Sequence, residues 1–419
     1  MAKVSPFKGW RYNPDVIENI EDVFVPPYDV ITAEEQKEYY NRSPHSFIRI
    51  NLNSAPGNEK YFSAANTLNM WIGSGVLVEE DQPAIYIFSQ SFTVDGSLVD
   101  RIGCVCSLEL SELGDTVLPH EQTIDKHLDD RYHLMESTSA NSGQIFMCYK
   151  DEKMILEELY NDIKDAPSIS VTLDDVEYNV WPITDNITIQ KFVSMLDSKT
   201  LVIADGHHRY KTALKYASKY NAPAAQHVMV SLVNSKNPGM QIMPTHRLLK
   251  DIDKTIEDIK KDIKHCFSYK EFVGVEKLLI EMKKMENQNC ILGLYHKISN
   301  TGLLLEFKSW EMLNELMSQQ SKSLRELDTN ILHSFLLRDV FNIDTNRQKD
   351  LKHLSYLRGN NSAIKMLEKE EDYDIVCFVN PPSLDEVFSI AEAGEVMPQK
   401  STYFFPKVYS GLITRCFNN

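Results

Sequence analysis

The sequence lacks long apolar runs, and none approaches the roughly 18 consecutive apolar residues that a membrane-spanning helix needs. The first ten residues, MAKVSPFKGW, also lack the apolar segment of a secretory signal peptide. No CxxC motif occurs and the seven cysteines are an odd number, so neither a disulfide framework nor a cysteine zinc site is indicated. These absences predict a soluble, cytoplasmic protein with reduced thiols and no membrane partner.

Basic residues are scarce relative to acidic ones. Lys and Arg total 44 against 60 Asp and Glu, which gives a formal net charge of -16. Such an acidic chain disfavours a broad surface for nucleic acid, although it leaves room for a small basic pocket. The chain also has no Walker motif, no aspartyl-phosphate signature, no kinase glycine-rich loop and no HExxH zinc motif. The expected partner is a small molecule, and no nucleic acid is expected.

The stretch LVIADGHHRYKTALKYASKY, residues 201–220, concentrates the chemistry that the chain does have. Its apolar residues 201–204 predict a buried strand, and the apolar spacing along 210–217 predicts one face of a helix. The tight turn between strand and helix therefore consists of small and polar residues. They are Asp205, Gly206, His207, His208 and Arg209.

This predicted strand–turn–helix suits the binding of an anion. Gly206 can adopt a positive φ and let a ligand approach the backbone. The first N–H groups of the helix and its dipole favour a phosphate, and Arg209 can clamp it with two hydrogen bonds. His207 or His208 can transfer a proton near neutral pH. The prediction is a phosphate-binding turn with an adjacent acid or base.

Further polar stretches supply additional candidates. Residues 118–144 form a long, glycine-poor polar segment that we predict to be a functional loop, and its charged residues include Asp125, Lys126 and His127. We expect this loop to meet the 205–209 turn. Other polar residues lie at a proline-shaped turn, at a predicted strand end and in the aromatic C-terminal tail. From these stretches we select His120, Glu121, Arg131, Asn141, Asp29, Thr245, His246, Arg247 and Lys400.

The element pattern predicts a mixed α/β fold with two domains. Strands of the first 250 residues are expected to form one mixed sheet that carries the strand–turn–helix site. From residue 251 the composition shifts to amphipathic helices rich in Lys and Glu, and to strands with few reactive side chains. We therefore predict a catalytic core at 1–250 and a second α+β lobe at 251–419, whose aromatic tail packs back on the core.

Six segments in chain order resemble the bacterial and archaeal family called domain of unknown function one thousand and fifteen. They are PPYDVI (26–31), LPHEQT (118–123), DDRYHLMESTSANSGQIF (129–146), ADGHHRYKTAL (204–214), MPTHRL (243–248) and MPQKSTYFFPK (397–407). Relatives of that family tend to be encoded near enzymes of serine biosynthesis, so the resemblance implies serine or phosphoserine as the substrate.

The Asp-Gly-His-His-Arg turn is also similar to the signature turn of the ParB/sulfiredoxin superfamily. There a comparable helix start holds nucleotide phosphates, and the superfamily includes sulfiredoxin, CTP-hydrolysing ParB proteins and free-serine kinases. This local resemblance implies a ParB/sulfiredoxin-like site, with ATP or ADP as cosubstrate if the protein is a kinase. An alternative is a regulatory switch of the ParB type that binds CTP or ATP without turning over a small molecule.

Together these features predict a phosphotransferase or phosphohydrolase that acts on serine or phosphoserine, with the direction of transfer open. Magnesium is expected because it prefers carboxylate and phosphate oxygens. The oligomeric state stays open, with a homodimer among the options. The candidate catalytic residues are Glu121, His120, Asp205, His207 and His208. The candidate phosphate-binding residues are Gly206, His207, His208, Arg209, Arg131 and Arg247. The candidate substrate-binding residues are Asp29, Asn141, Thr245, His246 and Lys400, and the candidate magnesium ligands are Asp205 and Glu121.

Overall fold

The structure, a computed structural model, describes residues 2–94, 96–122, 128–285, 290–345, 347, 349–359, 367 and 372–417. These residues form two compact units. The first comprises the described residues of 1–119, 123–241 and 406–419, and the second those of 120–122 and 242–405. The chain therefore leaves the first unit twice, briefly at 120–122 and at length at 242–405.

The strands of both units follow here in chain order. They are β1 (Val4–Ser5), β2 (Trp10–Tyr12), β3 (Leu77–Glu79), β4 (Ile85–Val94), β5 (Ser97–Glu109), β6 (Val117–Leu118), β7 (Ala140–Asn141), β8 (Ile145–Tyr149), β9 (Ile169–Leu173), β10 (Val176–Ile183), β11 (Leu201–Asp205), β12 (His227–Asn234), β13 (Gln241–Met243), β14 (Thr245–Leu249), β15 (Phe267–Val273), β16 (Ile291–His296), β17 (Thr301–Phe307), β18 (Leu354–Arg358), β19 (Ile375–Phe378), β20 (Tyr403–Phe405) and β21 (Arg415–Cys416).

The α-helices are numbered in the same way. They are α1 (Ala33–Arg42), α2 (Ile48–Asn51), α3 (Glu59–Gly73), α4 (Leu128–Thr138), α5 (Ile155–Ile163), α6 (Asn186–Leu196), α7 (His207–Lys219), α8 (Ile256–Ile263), α9 (Val275–Lys284), α10 (Trp310–Leu316), α11 (Lys322–Arg325), α12 (Asp328–Ile331) and α13 (Leu384–Glu392). A π-helix, Leu332–Arg338, follows α12 directly.

The first unit is built on a mixed sheet with the strand order β6-β11-β8-β12-β5-β4-β10-β9, and β1 also pairs with β5. β11 runs parallel to β6, and β12 runs parallel to β8, whereas β11 and β8 are antiparallel. Side chains of these strands pack with α5, α6 and α7 in one continuous apolar core. The prediction of a mixed α/β fold is confirmed by this sheet and its helices.

The second unit has a sheet of its own, in the order β15-β17-β16-β19-β14-β18. Its described pairs are all antiparallel. Apolar clusters cover both faces of this sheet, one with α8 and the π-helix and the other with α9. The unit is thus an antiparallel sheet between helical layers, which is an α+β arrangement.

Capping residues fix where several helices begin. Thr32 accepts a hydrogen bond from the backbone N–H of Glu35, and Ser383 does the same for Glu386, so α1 and α13 both begin with a capping box. The long polar segment after residue 118 departs from the prediction of a loop, because Leu128–Thr138 is the helix α4. Arg131, Leu134 and Thr138 are buried in α4 at spacings of three and four, which is the period of one helical face. Asp125, Lys126 and His127 lie outside the described residues.

Candidate functional site

The strand–turn–helix at 201–219 has the predicted form. β11 is buried as far as Ala204, Gly206 has φ +99°, and α7 begins at His207. Tyr210 and Ala213 place α7 against the core of the first unit. The N-cap residue of α7 is Gly206, which has no side chain with which to cap the helix. This geometry leaves the helix start suited to an anion.

Arg209 belongs to the first helical turn of α7, and its side chain folds back over Asp205 and Gly206. One guanidinium nitrogen donates to the carbonyl of Gln144 at the start of β8. Another lies 3.5 Å from a carboxylate oxygen of Asp205. A Cβ added to Gly206 would meet the guanidinium at 3.0–3.1 Å, so the absence of a side chain there lets Arg209 lie close to the backbone. The half-buried His207 and His208 share this first turn.

Lys407, from the C-terminal tail, completes this part of the site. Its Nζ donates to Oδ2 of Asp205 at 3.0 Å, and only 13% of its side chain is exposed. The Lys407 carbonyl accepts hydrogen bonds from Gln90 Nε2 at 3.0 Å and from the Tyr178 hydroxyl at 2.9 Å. The fully buried Arg101 donates to the adjacent Pro406 carbonyl. Buried polar groups of β4, β5 and β10 therefore hold the tail where its lysine reaches Asp205.

Arg131, on α4, belongs to a second ionic group in the same unit. Its guanidinium donates to Oδ2 of Asp130 and to the carbonyl of Asn51 at 2.8 Å. It also stacks over the ring of Tyr28 at 4.0 Å. Lys60 donates to the other Asp130 oxygen at 2.5 Å. Burial opposes ionisation of Asp130, but the two cations outweigh it and lower the pKa of this carboxyl to about 2.

A cleft in the first unit lies beside both arginines. Leu134, Met135, Ile145 and Val228 supply its apolar wall. Such a mixture of an apolar wall and convergent polar groups is typical of small-molecule sites. The polar lining residues include Asn51, Arg131, Ser142, Arg209, Thr212 and Ser410.

Two predicted substrate residues also belong to the first unit. Asn141 is buried and lines the cleft, but its amide oxygen accepts hydrogen bonds from the Met229 N–H and from Arg415. Asn141 therefore also links β7 to β12 and to β21 through hydrogen bonds. Asp29 is exposed in a short 3-10 helix, next to the cleft residue Tyr28.

The other candidates lie in the second unit and form a separate polar group there. The Glu121 carboxylate accepts the Lys400 N–H at 2.7 Å and lies 3.4 Å from the Thr402 hydroxyl. That hydroxyl is 2.8 Å from Nε2 of the buried His120. The structure thus places Glu121, His120 and the backbone of Lys400 together, with Thr402 between the two acid–base candidates.

Thr245, His246 and Arg247 are interior residues of the second unit, since all three are buried within β14. The guanidinium of Arg247 donates to the carbonyls of Thr245, Gln399 and Lys400. Burial lowers the pKa of Arg247. The described contacts of Arg247 are those of a structural arginine, and its predicted role in phosphate binding stays a prediction.

The predicted magnesium site requires several oxygen donors close together. Within the described part of the chain, no group of three or more His, Cys, Asp and Glu side chains is arranged to hold a metal ion. Asp205 already interacts with the cations of Lys407 and Arg209, which compete with a metal for its oxygens. This donor set does not fit a magnesium site built by the protein alone, since Mg²⁺ needs several oxygen ligands.

Sequence reasoning missed Lys407 as a site residue and selected Lys400 from the same tail. The signal in the sequence was only the presence of lysines in an aromatic tail, which does not say which lysine meets the turn. Thr212 was missed as well, because it reads as an interior residue of a helix. Among the described residues no helix is both long and apolar enough to span a membrane.

Comparison with known proteins gives one family and several distant structures. The family model described as "Protein of unknown function (DUF1015)" matches residues 4–330. No curated protein matches the sequence. A structure of a free serine kinase variant with ADP is similar at 12% identity and a TM-score of 0.36, covering 69% of this chain and 84% of that one.

Two further solved structures are similar at the same low level. A conserved hypothetical protein from Pyrococcus furiosus has 16% identity and a TM-score of 0.34, with 70% of this chain and 89% of that chain covered. SbnI from Staphylococcus aureus, with a C-terminal truncation, has 10% identity and a TM-score of 0.33, with 72% and 79% covered. Likenesses this distant do not assign an activity.

Proposed function

The chain belongs to the DUF1015 family, and from that premise we propose that it is a phosphoryl-transfer enzyme acting on a small molecule, serine or phosphoserine. The observation that supports this most is the convergence of three features on one turn. α7 begins directly after Gly206, and Arg209 and Lys407 both approach Asp205 beside it. A helix start flanked by two cations suits a phosphoryl group.

Phosphoryl transfer requires little covalent chemistry from protein side chains. Phosphoryl transfer depends on positioning the phosphate and on neutralising charge on its oxygens in the transition state. Arg209 and Lys407 supply that charge, while Asp205 holds both cations in place between reactions. His207 and His208, in the first turn of α7, are the acid–base candidates nearest to this phosphate position in the chain. His120 and Glu121 stay candidates in the second unit.

The cosubstrate follows from the direction of transfer. As a kinase the protein would take a phosphate from ATP or ADP, and solved free serine kinase structures contain ADP or AMP. Magnesium would enter with the nucleotide and would neutralise phosphate charge, since the described part of the chain does not by itself supply its ligands. We propose that the predicted core, residues 1–250 together with the C-terminal tail, carries the reaction.

The proposal is tested by assaying the purified full chain in both directions. Phosphoserine alone, and serine with ATP or ADP, are incubated with Mg²⁺ or with EDTA, and phosphate and phosphoserine are measured. We expect turnover in one direction. Arg209→Ala and Arg209→Lys should each reduce it by about 100-fold, because a lysine cannot reproduce the planar fork of a guanidinium.

Arg42→Ala is the matched control, because Arg42 is exposed on α1 and contacts only the ring of Tyr39 among its described neighbours. Full activity of both Arg209 variants would rule out the phosphate clamp. Tight binding of CTP or ATP without turnover of any small molecule would instead favour the regulatory switch.

A further inference from the structure

Two lysine–aspartate–arginine groups occur in the first unit, and each has the same design. In one, Asp205 lies between Lys407 and Arg209. In the other, Asp130 lies between Lys60 and Arg131, with both contacts at 2.5 Å. Two cations and one carboxylate leave each group with a net charge of +1. The phosphate of the proposed reaction needs only the first group, so the second calls for a separate explanation.

Both groups present their arginine to the same cleft. Arg131 and Arg209 line it, whereas Lys60 and Lys407 do not. The guanidinium of Arg131 has five N–H donors, and its described hydrogen bonds to Asp130 and Asn51 use three of them. Two donors are left for a ligand. The stacking of this guanidinium on Tyr28 fixes its plane, which favours bidentate recognition of a carboxylate.

An unpaired hydroxyl in the wall of the cleft is independent evidence for a ligand. Thr212 is 1% exposed and lines the cleft from α7, and its Oγ1 has no hydrogen-bond partner among the described residues. Burying a hydroxyl without a partner is unfavourable, so such a group usually acquires a partner in the functional state. A polar group of a bound ligand would provide that partner.

We propose that this cleft is the acceptor subsite, and that it binds a small acid with two anionic groups, a phosphate beside Arg209 and a carboxylate beside Arg131. The inference rests on the proposed function, because it takes the phosphate position from it. Thr212 contacts the polar group between the two anions. Arg131 is then the residue that selects carboxylic acids.

The inference is tested by calorimetric titration of the full chain with O-phosphoserine and with phosphoethanolamine, which differs only by lacking the carboxylate. Inorganic phosphate serves as the third probe. We expect phosphoserine to bind about tenfold more tightly than phosphoethanolamine, which is typical of a lost hydrogen-bonded charge. Arg131→Gln should reduce this ratio to about twofold, and phosphoethanolamine affinity should hardly change.

Two further variants test the inference even if Arg131→Gln folds poorly. Lys60→Gln removes the net charge of the Lys60–Asp130–Arg131 group without changing a residue that lines the cleft, and it should lower the affinity ratio of phosphoserine to phosphoethanolamine about threefold. Lys215→Gln is the control: it removes the ion pair between Lys215 and Asp129 and should leave that ratio unchanged. Thr212→Val removes the unpaired hydroxyl, so it should melt no lower than the natural protein and yet bind phosphoserine several-fold more weakly.

The outcomes separate this inference from the proposed function. Equal affinity for phosphoserine and phosphoethanolamine, with binding still dependent on Arg209, would overturn the carboxylate subsite and leave the phosphate site intact. An unchanged ratio in folded Arg131→Gln and Lys60→Gln proteins would overturn it as well. Failure of all three phosphate probes to bind would overturn the proposed function, and the subsite with it.

Discussion

The Lys407 ammonium lies 3.0 Å from the Asp205 carboxylate although the two residues are 202 positions apart in the chain. This contact joins the C-terminal tail to the turn that precedes α7. The tail is held there by hydrogen bonds to backbone carbonyls of Pro406 and Lys407, so its position does not depend on the ion pair alone. The proposed phosphate site is therefore assembled from the 205–209 turn and the C-terminal tail of the first unit.

Lys407→Gln is predicted to weaken phosphate binding by about tenfold. The substitution keeps a side chain of similar length but removes one of the two cations next to the start of α7, and a charge-assisted hydrogen bond is worth about 1.5–3 kcal/mol. Affinity for inorganic phosphate or phosphoserine, measured by calorimetry, checks this.

Two variants serve as controls for that experiment. Lys407→Arg should keep most of the affinity because the positive charge remains. Lys219→Gln removes an exposed lysine at the far end of α7, where it pairs with Glu136, and should have no effect on phosphate. If Lys407→Gln bound phosphate as tightly as the natural protein, Lys407 would have only a structural role.

Tyr178→Phe is predicted to affect the same site from a distance. The Tyr178 hydroxyl donates to the Lys407 carbonyl at 2.9 Å, so its removal loosens the tail without changing any charge. We expect a loss of about 1 kcal/mol in the free energy of unfolding and a two- to fivefold loss in phosphate affinity. Tyr160→Phe is the control, since Tyr160 contacts the ring of Trp181 and has no described hydrogen bond through its hydroxyl. Equal phosphate affinities in both variants would argue against tail positioning.

Gly206→Ala is predicted to damage both stability and binding. Gly206 has φ +99°, where a side chain costs on the order of 1 kcal/mol, and the new methyl group would meet the Arg209 guanidinium at 3.0–3.1 Å. Gly114 has a similar φ of +107°, but nothing lies within 4 Å of an added Cβ. Gly114→Ala should therefore show the loss of thermal stability without the loss of phosphate affinity.

A comparison of these two glycine variants separates backbone strain from the displacement of Arg209. If both variants kept full phosphate affinity, the close packing of Arg209 over the turn would be irrelevant to binding. If both lost it equally, the effect would come from general destabilisation.

The parts of the site that are local in sequence could be predicted, and the parts that depend on tertiary contacts could not. The strand, turn and helix follow from hydrophobic periodicity and one glycine, and the structure has the strand at Leu201–Asp205 and the helix at His207–Lys219. The pairing of Asp205 with Lys407 depends on a register of the tail that no short-range pattern contains. The lysine chosen from the sequence, Lys400, lies in the second unit.

The burial of other polar residues could not be predicted from the sequence. Thr245, His246 and Arg247 look like an exposed site cluster, but they are interior residues of β14, and Nη1 and Nη2 of Arg247 donate to backbone carbonyls. A sequence does not show whether carbonyl groups will surround an arginine. In α4, by contrast, Arg131, Leu134 and Thr138 follow each other at spacings of three and four, which is a helix signal in the sequence.

Asp328 in the second unit leads to a prediction about pH. Burial, reinforced by the nearby Glu386 charge, raises the pKa of Asp328 to about 7, although hydrogen bonds with Cys290 and Asn380 oppose the shift. In the unfolded chain its pKa is about 3.9. Between these values the folded protein keeps a proton that the unfolded chain releases. The contribution of Asp328 to stability is therefore fully present below about pH 4 and is lost as the pH rises to about 7.

Asp328→Asn should remove this loss, because the amide stays neutral at every pH. We compare the free energy of unfolding of the variant with that of the natural protein at each pH. The difference, variant minus natural protein, should be on the order of 2 kcal/mol larger at pH 8 than at pH 5. Urea unfolding at both pH values measures this, and the exposed Asp253→Asn serves as the control. If the difference between the Asp328→Asn variant and the natural protein were the same at pH 5 and pH 8, Asp328 would be ionised in the folded state across that range, and its side chain would have to be hydrated or paired with a cation.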